Sequence, residues 1–259
     1  MRKVLAILRE PRFSPNSVDK DRAIMESVVR RLEGDVALVE ESSLTSLGHY
    51  DLILSMARLP RTLEWLKDAE AQGCRVVNSG YAVARCRRSK LEMLMRENKI
   101  PMPPLDGHDG YWLKRGDAAA QNRDDVVYCA NSHILEAQRR LFAGRGITDC
   151  VVSSHVKGDL VKFYAVGEAF FKFYYPGDGL PSKFGNEALN GCPHHYPFDV
   201  EALRADVARV ARLVGILVYG GDAVVDARGR YHIIDFNDWP SFAPCREEAA
   251  AEIVKLVKE

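Results

Sequence analysis

Over its first eighty residues the chain alternates strand and helix signals, a rhythm that leaves few folds open. Lys3–Leu8 is a continuous apolar run, the form a parallel strand takes when both of its faces are covered. Ile24, Val28 and Leu32 recur at helical spacing and mark one buried stripe. Val36–Val39 and Asp51–Met56 read as the next two strands. A helix near Leu63–Ala71 follows, Gly73 stops it, and Arg75–Val77 makes a fourth strand. This alternation predicts a doubly wound parallel sheet. No GxGxxG follows the first strand, so no dinucleotide-binding turn is expected there.

A helix over Arg87–Asn98 runs into Ile100-Pro101-Met102-Pro103-Pro104, which cannot continue a helix and reads as a linker between lobes. The organisation expected is a leading domain over residues 1–85 and a second over 86–259. The second half is α+β with antiparallel pairing. Tyr111–Lys114, Asp125–Cys129, Asp149–Val156, Val161–Val166 and Ala169–Tyr175 read as strands, with a helix near His133–Ala143. Pro176–Pro197 is loop-like. Leu203, Val207, Val210, Val214 and Leu217 then define a strongly amphipathic helix. Asp222–Val225, a turn over Asp226–Gly229, Tyr231–Phe236 and a last helix near Glu247–Val257 complete the chain.

Lys and Arg balance Asp and Glu at 36 each, so no overall field points to nucleic acid or to a membrane surface. The run Val4–Leu8 is too short for a signal-peptide core or a bilayer span. Six scattered cysteines without a CxxC suit reduced thiols and a cytoplasmic protein rather than zinc or a disulfide framework.

The chemistry concentrates in the hairpin from Gly220 to Ser241. If Asp226 pairs with Gly229, Asp222 lies opposite Ile233, and alternation puts Asp222, Ile233, Asp235 and Asn237 on one face. Two carboxylates and an amide oxygen make a hard, oxygen-only site suited to Mg²⁺. A one-residue slip in register would change which residues meet.

This hairpin resembles the metal-binding hairpin of ATP-grasp proteins, in which an Asp precedes a glycine turn and the next strand ends in Glu-x-Asn or Asp-x-Asn, with a Pro shortly after, as Pro240 is here. Ser89-Lys90-Leu91 through Ile100-Pro101-Met102-Pro103 resembles the family's lysine-bearing helix and linker, and Trp112-Leu113-Lys114-Arg115-Gly116 its second lysine strand. Val151–Asp159 resembles the interlobe strand that holds adenine, and Lys162-Phe163-Tyr164 the strand after it. The chain departs from the family at Ser154, at or near which an acid is common.

The resemblance covers roughly residues 85–258 and implies a pre-ATP-grasp domain followed by an ATP-grasp domain, with a lid over about 104–156 and a catalytic part over about 157–259. It implies ATP and Mg²⁺ (or Mn²⁺) as cofactors. Asp222, Asp235 and Asn237 would hold the metal, Lys90 and Lys114 the phosphates, the main chain of His155 and Val156 the adenine, and Asp159 the ribose. Lys162 would reach the transferring phosphoryl group, and the turn bearing Ser241 a reacting oxyanion. The activity implied is an ADP-forming carboxylate–amine ligase acting on a small-molecule or peptide substrate. Two alternatives stand beside it: a small-molecule kinase on the same fold, and a nucleotide-binding protein without turnover. Self-association is common among such proteins. Lys183, Asn186 and His194-His195 fall where related ligases bind acceptors, although adjacent histidines on a polar loop also read simply as surface residues.

Overall fold

The computed structural model describes residues 2–117, 120, 123–176 and 191–258. Lys183 and Asn186 lie outside the described residues, as does part of the loop after Lys114.

The leading segment is the expected parallel sheet: β1 (Lys3–Leu8), β2 (Asp35–Glu40), β3 (Leu52–Ser55) and β4 (Arg75–Val77), ordered β2-β1-β3-β4. The central strand β1 is buried from Val4 onward, as its unbroken apolar run requires. Helices α1 (Val18–Val29) and α2 (Pro60–Ala71) connect the strands. A short helix α3 (Gly80–Arg85), with no periodic stripe to announce it, precedes α4 (Arg88–Glu97).

Past the linker, β5 (Tyr111–Arg115), β6 (Val126–Cys129) and β7 (Cys150–Ser154) form an antiparallel sheet with β5 in the centre. Helix α5 (Ser132–Gly144) packs on it through a small core of Leu113, Cys129, Leu135, Phe142 and Ile147. Leu113 points into that core, so its neighbours Trp112 and Lys114 take the other face.

The third sheet, ordered β11-β10-β8-β9, is built from β8 (Asp159–Val166), β9 (Phe170–Tyr174), β10 (Val218–Val225) and β11 (Tyr231–Asp238). Helix α6 (Val200–Val214) covers one face, where Leu203, Val207, Val210 and Val214 share a core with Phe163, Ala165, Ala223, Ile233 and Phe236. Asp199 caps α6 by accepting the Ala202 amide at 2.8 Å, a bond worth about 1 kcal/mol. Gly215, at φ 90°, ends the helix earlier than the apolar stripe alone predicts. The final helix α7 (Arg246–Lys258) buries Ala249, Ala250, Ile253 and Val257 in a second core with β1, Ile24 and Val28.

The register of the hairpin differs from the expected one. Val225 faces Tyr231 as the last ladder pair, because Asp226 spans the turn, its amide donating to the Arg230 carbonyl at 2.9 Å. The Asp226 carboxylate accepts the amides of Arg228 and Arg230, and this widens the loop by one residue. A bulge then follows: Ala223 pairs with Ile233 but Asp222 with Asp235, leaving Ile234 as the extra residue. Ile233 is therefore a core residue, fully buried beside Ala223, and the partner of Asp222 is Asp235.

Candidate active site

Three adjacent strands set three charged side chains in a row. Lys162 on β8 is the register partner of Asp222 on β10, which is in turn the partner of Asp235 on β11. Direct cross-strand partners share a face, with Cβ atoms about 5 Å apart. The Lys162 Nζ donates to Asp222 Oδ1 at 2.6 Å, and Asn237 Nδ2 donates to Asp235 Oδ2 at 3.1 Å. Gly220, opposite Asn237, is required by close packing: a Cβ there would lie 2.7 Å from the Phe163 carbonyl and 2.8 Å from Pro240 Cγ.

Two more cations close on this row from other elements. Arg88, the first residue of α4, lies 3.6 Å from Asp235 Oδ1 and donates to the Arg115 carbonyl at 2.8 Å. Lys114, on the face of the β6-β5-β7 sheet opposite the Leu113 core, donates to the Ile234 carbonyl at 2.7 Å. Ile234 is the bulged residue. Burial pushes the Asp235 carboxyl up, but Arg88, Lys114, the Asn237 amide and Lys162 together outweigh it and hold it down at about 2. For Lys114 burial wins and lowers the ammonium below its ordinary value, against the pull of Asp235 and Asp222.

A crevice of about 30 Å³ runs from Arg88, Lys114 and Asp235 along α4 to Met95, Met102 and Ser153. One end is charged and the other apolar. That volume holds about one or two waters.

The sequence-predicted residues divide. Asp222, Asp235, Asn237, Lys114 and Lys162 come together. Lys90 does not: it is exposed on α4, whereas Arg88, Leu91, Glu92 and Met95 form the face toward the crevice. Arg88 lies in the basic run Arg85–Lys90, which as a whole suits a phosphate-facing or a solvated helix, and its helical spacing from Leu91 and Met95 marks it as the cation on the crevice face. Asp159 is buried, and its two carboxylate oxygens accept the amides of His194 at 2.7 Å and Tyr196 at 2.9 Å, so it serves to hold that loop. The His155 amide is likewise committed, to the Gly110 carbonyl at 2.8 Å. Its ring Nδ1 accepts Trp112 Nε1 at 3.1 Å, which leaves the proton on Nε2, and burial lowers its pKa. Val156 is half-buried just after β7. Ser154, where an acid is common in the family, is buried, and a Cβ on Gly107 would lie 2.7 Å from its own Cβ. Ser241 is half-buried in the turn after β11, two residues beyond the left-handed Trp239 (φ 39°).

No family model matches the chain, and no curated protein matches its sequence. Its structure matches known ones over nearly its whole length. D-alanyl-alanine synthetase A from Vibrio cholerae O1 biovar eltor str. N16961 superposes with a TM-score of 0.68 at 14% identity, covering 100% of this chain and 98% of that one. D-alanine–D-alanine ligase from Bacillus anthracis, complexed with ATP, gives 0.65 at 11% identity, with 100% and 95% covered. The ATP-grasp ligase PsnB, complexed with a phosphomimetic variant of its minimal precursor, Mg and ADP, gives 0.61 at 14% identity, with 97% and 98% covered. The chain has the ATP-grasp fold. Among the described residues no helix is long and apolar enough to cross a membrane.

Proposed function

We propose that the chain is an ATP-dependent, ADP-forming ligase of the ATP-grasp type, with a leading domain over 1–85 and a grasp domain over 86–259, that activates a substrate carboxylate as an acyl phosphate for attack by an amine. The observation that carries this reading is the row Lys162–Asp222–Asp235, with Asn237 beside it and Arg88 and Lys114 closing from two other elements.

The donor set fits Mg²⁺. Two carboxylates and one amide oxygen are too few for a cage made by protein alone, and Mg²⁺ commonly takes its remaining ligands from phosphates and water. Asp222, Asp235 and Asn237 would hold it. Bound there, the ion supplies charge neutralisation to the terminal phosphates. Lys114, Arg88 and Lys162 contribute fixed positive charge where negative charge develops in phosphoryl transfer, with Arg88 taking the part expected of Lys90. Asp235, held near 2, is an acceptor at any working pH and not a proton donor. The Pro240–Ser241 turn, which follows β11 directly, would help hold a reacting oxyanion. No protein nucleophile is needed, since positioning and electrostatics supply the catalysis.

Calorimetric titration of Mg-ATP into the wild type and an Asp235→Ala, Asn237→Ala variant tests the reading. One-site binding lost in the variant supports it, and no binding by folded wild type refutes it. Products then assign the reaction: a ligase given both substrates releases free phosphate, whereas a kinase leaves phosphate on the acceptor.

A further inference from the structure

The end of β11 is gripped from the leading lobe by two arginines. Arg9 follows β1 and Arg58 lies just beyond β3, so both stand at the carboxyl ends of the two strands where the winding of the sheet reverses. Neither is turned to solvent: Arg9 is 8% exposed, and the side chain of Arg58 13%. Arg58 Nη2 donates to Asp238 Oδ1 at 2.5 Å and reaches the carbonyl of the same residue at 3.4 Å. Arg9 Nη2 donates to the Trp239 carbonyl, and its Nε lies 3.1 Å from Asp21 Oδ2 as an ion pair not aligned for a hydrogen bond. The main chain beneath Arg58 is itself pinned. Fully buried Glu41 accepts the amides of Arg58 at 2.9 Å, Leu59 at 2.7 Å and Glu10 at 3.1 Å.

The segment that begins at the residues the arginines hold is strained. Trp239 at φ 39° and Phe242 at φ 49° are left-handed without being glycine, a conformation that is costly for a bulky side chain. The Trp239 indole N–H is buried without a hydrogen-bond partner among the described residues, which adds to the cost. Pro240 and Ser241 lie between the two left-handed residues, and Asn237 immediately precedes Asp238. Such a conformation persists only where its surroundings over-determine it, and two guanidinium groups on consecutive residues do so.

We infer that Arg58 and Arg9 are positioning residues: the leading lobe clamps Asp238–Trp239 so that Asn237 and Ser241 stay aligned with Asp222 and Asp235. This rests on the ligase reading, since what is positioned is that reading's metal set. A buried ion pair is by itself a weak source of stability, and exchanging both partners for apolar residues is often neutral. Position and stability can therefore be separated.

The test is an Arg58→Met, Asp238→Leu double variant, followed by melting temperature and by Mn²⁺ binding in the presence of ATP, read from the electron paramagnetic resonance of free Mn²⁺. The expected result is a melting temperature near that of the wild type with Mn²⁺ affinity reduced about 10- to 100-fold, the usual effect of losing a group that orients a metal ligand. Arg58→Lys, which keeps charge but not the fork, should fall between. A folded double variant that binds Mn²⁺ with ATP as the wild type does overturns the clamp and leaves the ligase reading standing. If the wild type binds no Mn²⁺ with ATP, the ligase reading fails and takes the clamp with it. Should the double variant not fold, Arg58→Lys decides: unchanged Mn²⁺ affinity at unchanged stability overturns the proposal, and a loss at unchanged stability supports it.

Discussion

Lys162 and Asp222 face each other as register partners on β8 and β10, joined by a 2.6 Å hydrogen bond from Nζ to Oδ1. The proposed phosphate-side cation thus lies against one of the proposed metal ligands. Lysine and a divalent ion then compete for the same carboxylate until phosphate draws the ammonium away.

That competition has a sign. Lys162→Met should tighten Mn²⁺ binding in the absence of nucleotide, because Asp222 and Asp235 are left as adjacent carboxylates with less positive charge beside them. With ATP present the same variant should bind the nucleotide about 10-fold more weakly, for want of one charged contact. Mn²⁺ titrations with and without nucleotide check both directions. Weakening in both conditions would contradict the competition.

Asp235 makes a prediction in acid. Its folded pKa of about 2 lies below the ordinary value of 3.8. The stability it contributes is therefore present above the ordinary value and disappears as pH falls through about 2. One pKa unit is about 1.4 kcal/mol, so this contribution is about 2 kcal/mol. In Asp235→Asn that part of the acid limb should be missing: urea midpoints of variant and wild type should converge between about pH 4 and pH 2. Parallel curves over that interval would contradict the assignment.

Arg88 and Lys90 form a matched pair of tests on one helix. Arg88 faces the crevice and Asp235, whereas Lys90 faces solvent. Arg88→Met should weaken Mg-ATP binding by about 10-fold or more, while Lys90→Met should stay within about 2-fold, as expected for an exposed surface charge. Calorimetry on the two variants decides between them, and the reverse ranking would restore the lysine.

Much of this could be read from the sequence because it is written in local patterns. β1 and β4 match their expected spans residue for residue, since a covered parallel strand needs an unbroken apolar run and Gly73 marks where α2 must stop. That Asp235 and Asn237 share a face with Asp222 was legible as Asp-x-Asn alternation. The hairpin register was not, because it depends on how the Asp226 carboxylate organises its loop and on a bulge at Ile234, neither of which leaves a periodic trace. Asp159 was misplaced for a related reason. A carboxylate at the start of a strand looks available until the distant amides of His194 and Tyr196 are found on it. Arg9 and Arg58 could not be seen at all, as the groups they hold, the Trp239 carbonyl and the Asp238 carboxylate, come from the far end of the chain.

Ser154 tests whether its departure from the acid common in ATP-grasp proteins is an omission or a structural necessity. Its Oγ is buried with no hydrogen-bond partner among the described residues, and its amide donates to the Pro104 carbonyl at 2.8 Å. Removing an unpaired buried hydroxyl deletes a desolvation cost, so Ser154→Ala should be neutral or stabilising by up to about 1 kcal/mol. Ser154→Glu, which introduces the acid common in ATP-grasp proteins, would press a carboxylate against Gly107, which packs so closely on Ser154 that a Cβ added to the glycine would lie 2.7 Å from the Ser154 Cβ. The cost should exceed about 3 kcal/mol, from overpacking together with an unpaired buried charge. Thermal melts of the two variants give the answer. A stable Ser154→Glu protein with tighter ATP binding would mean that the linker yields and that the acid is merely missing. A collapse in stability would mean that the packing of Gly107 on Ser154 excludes it.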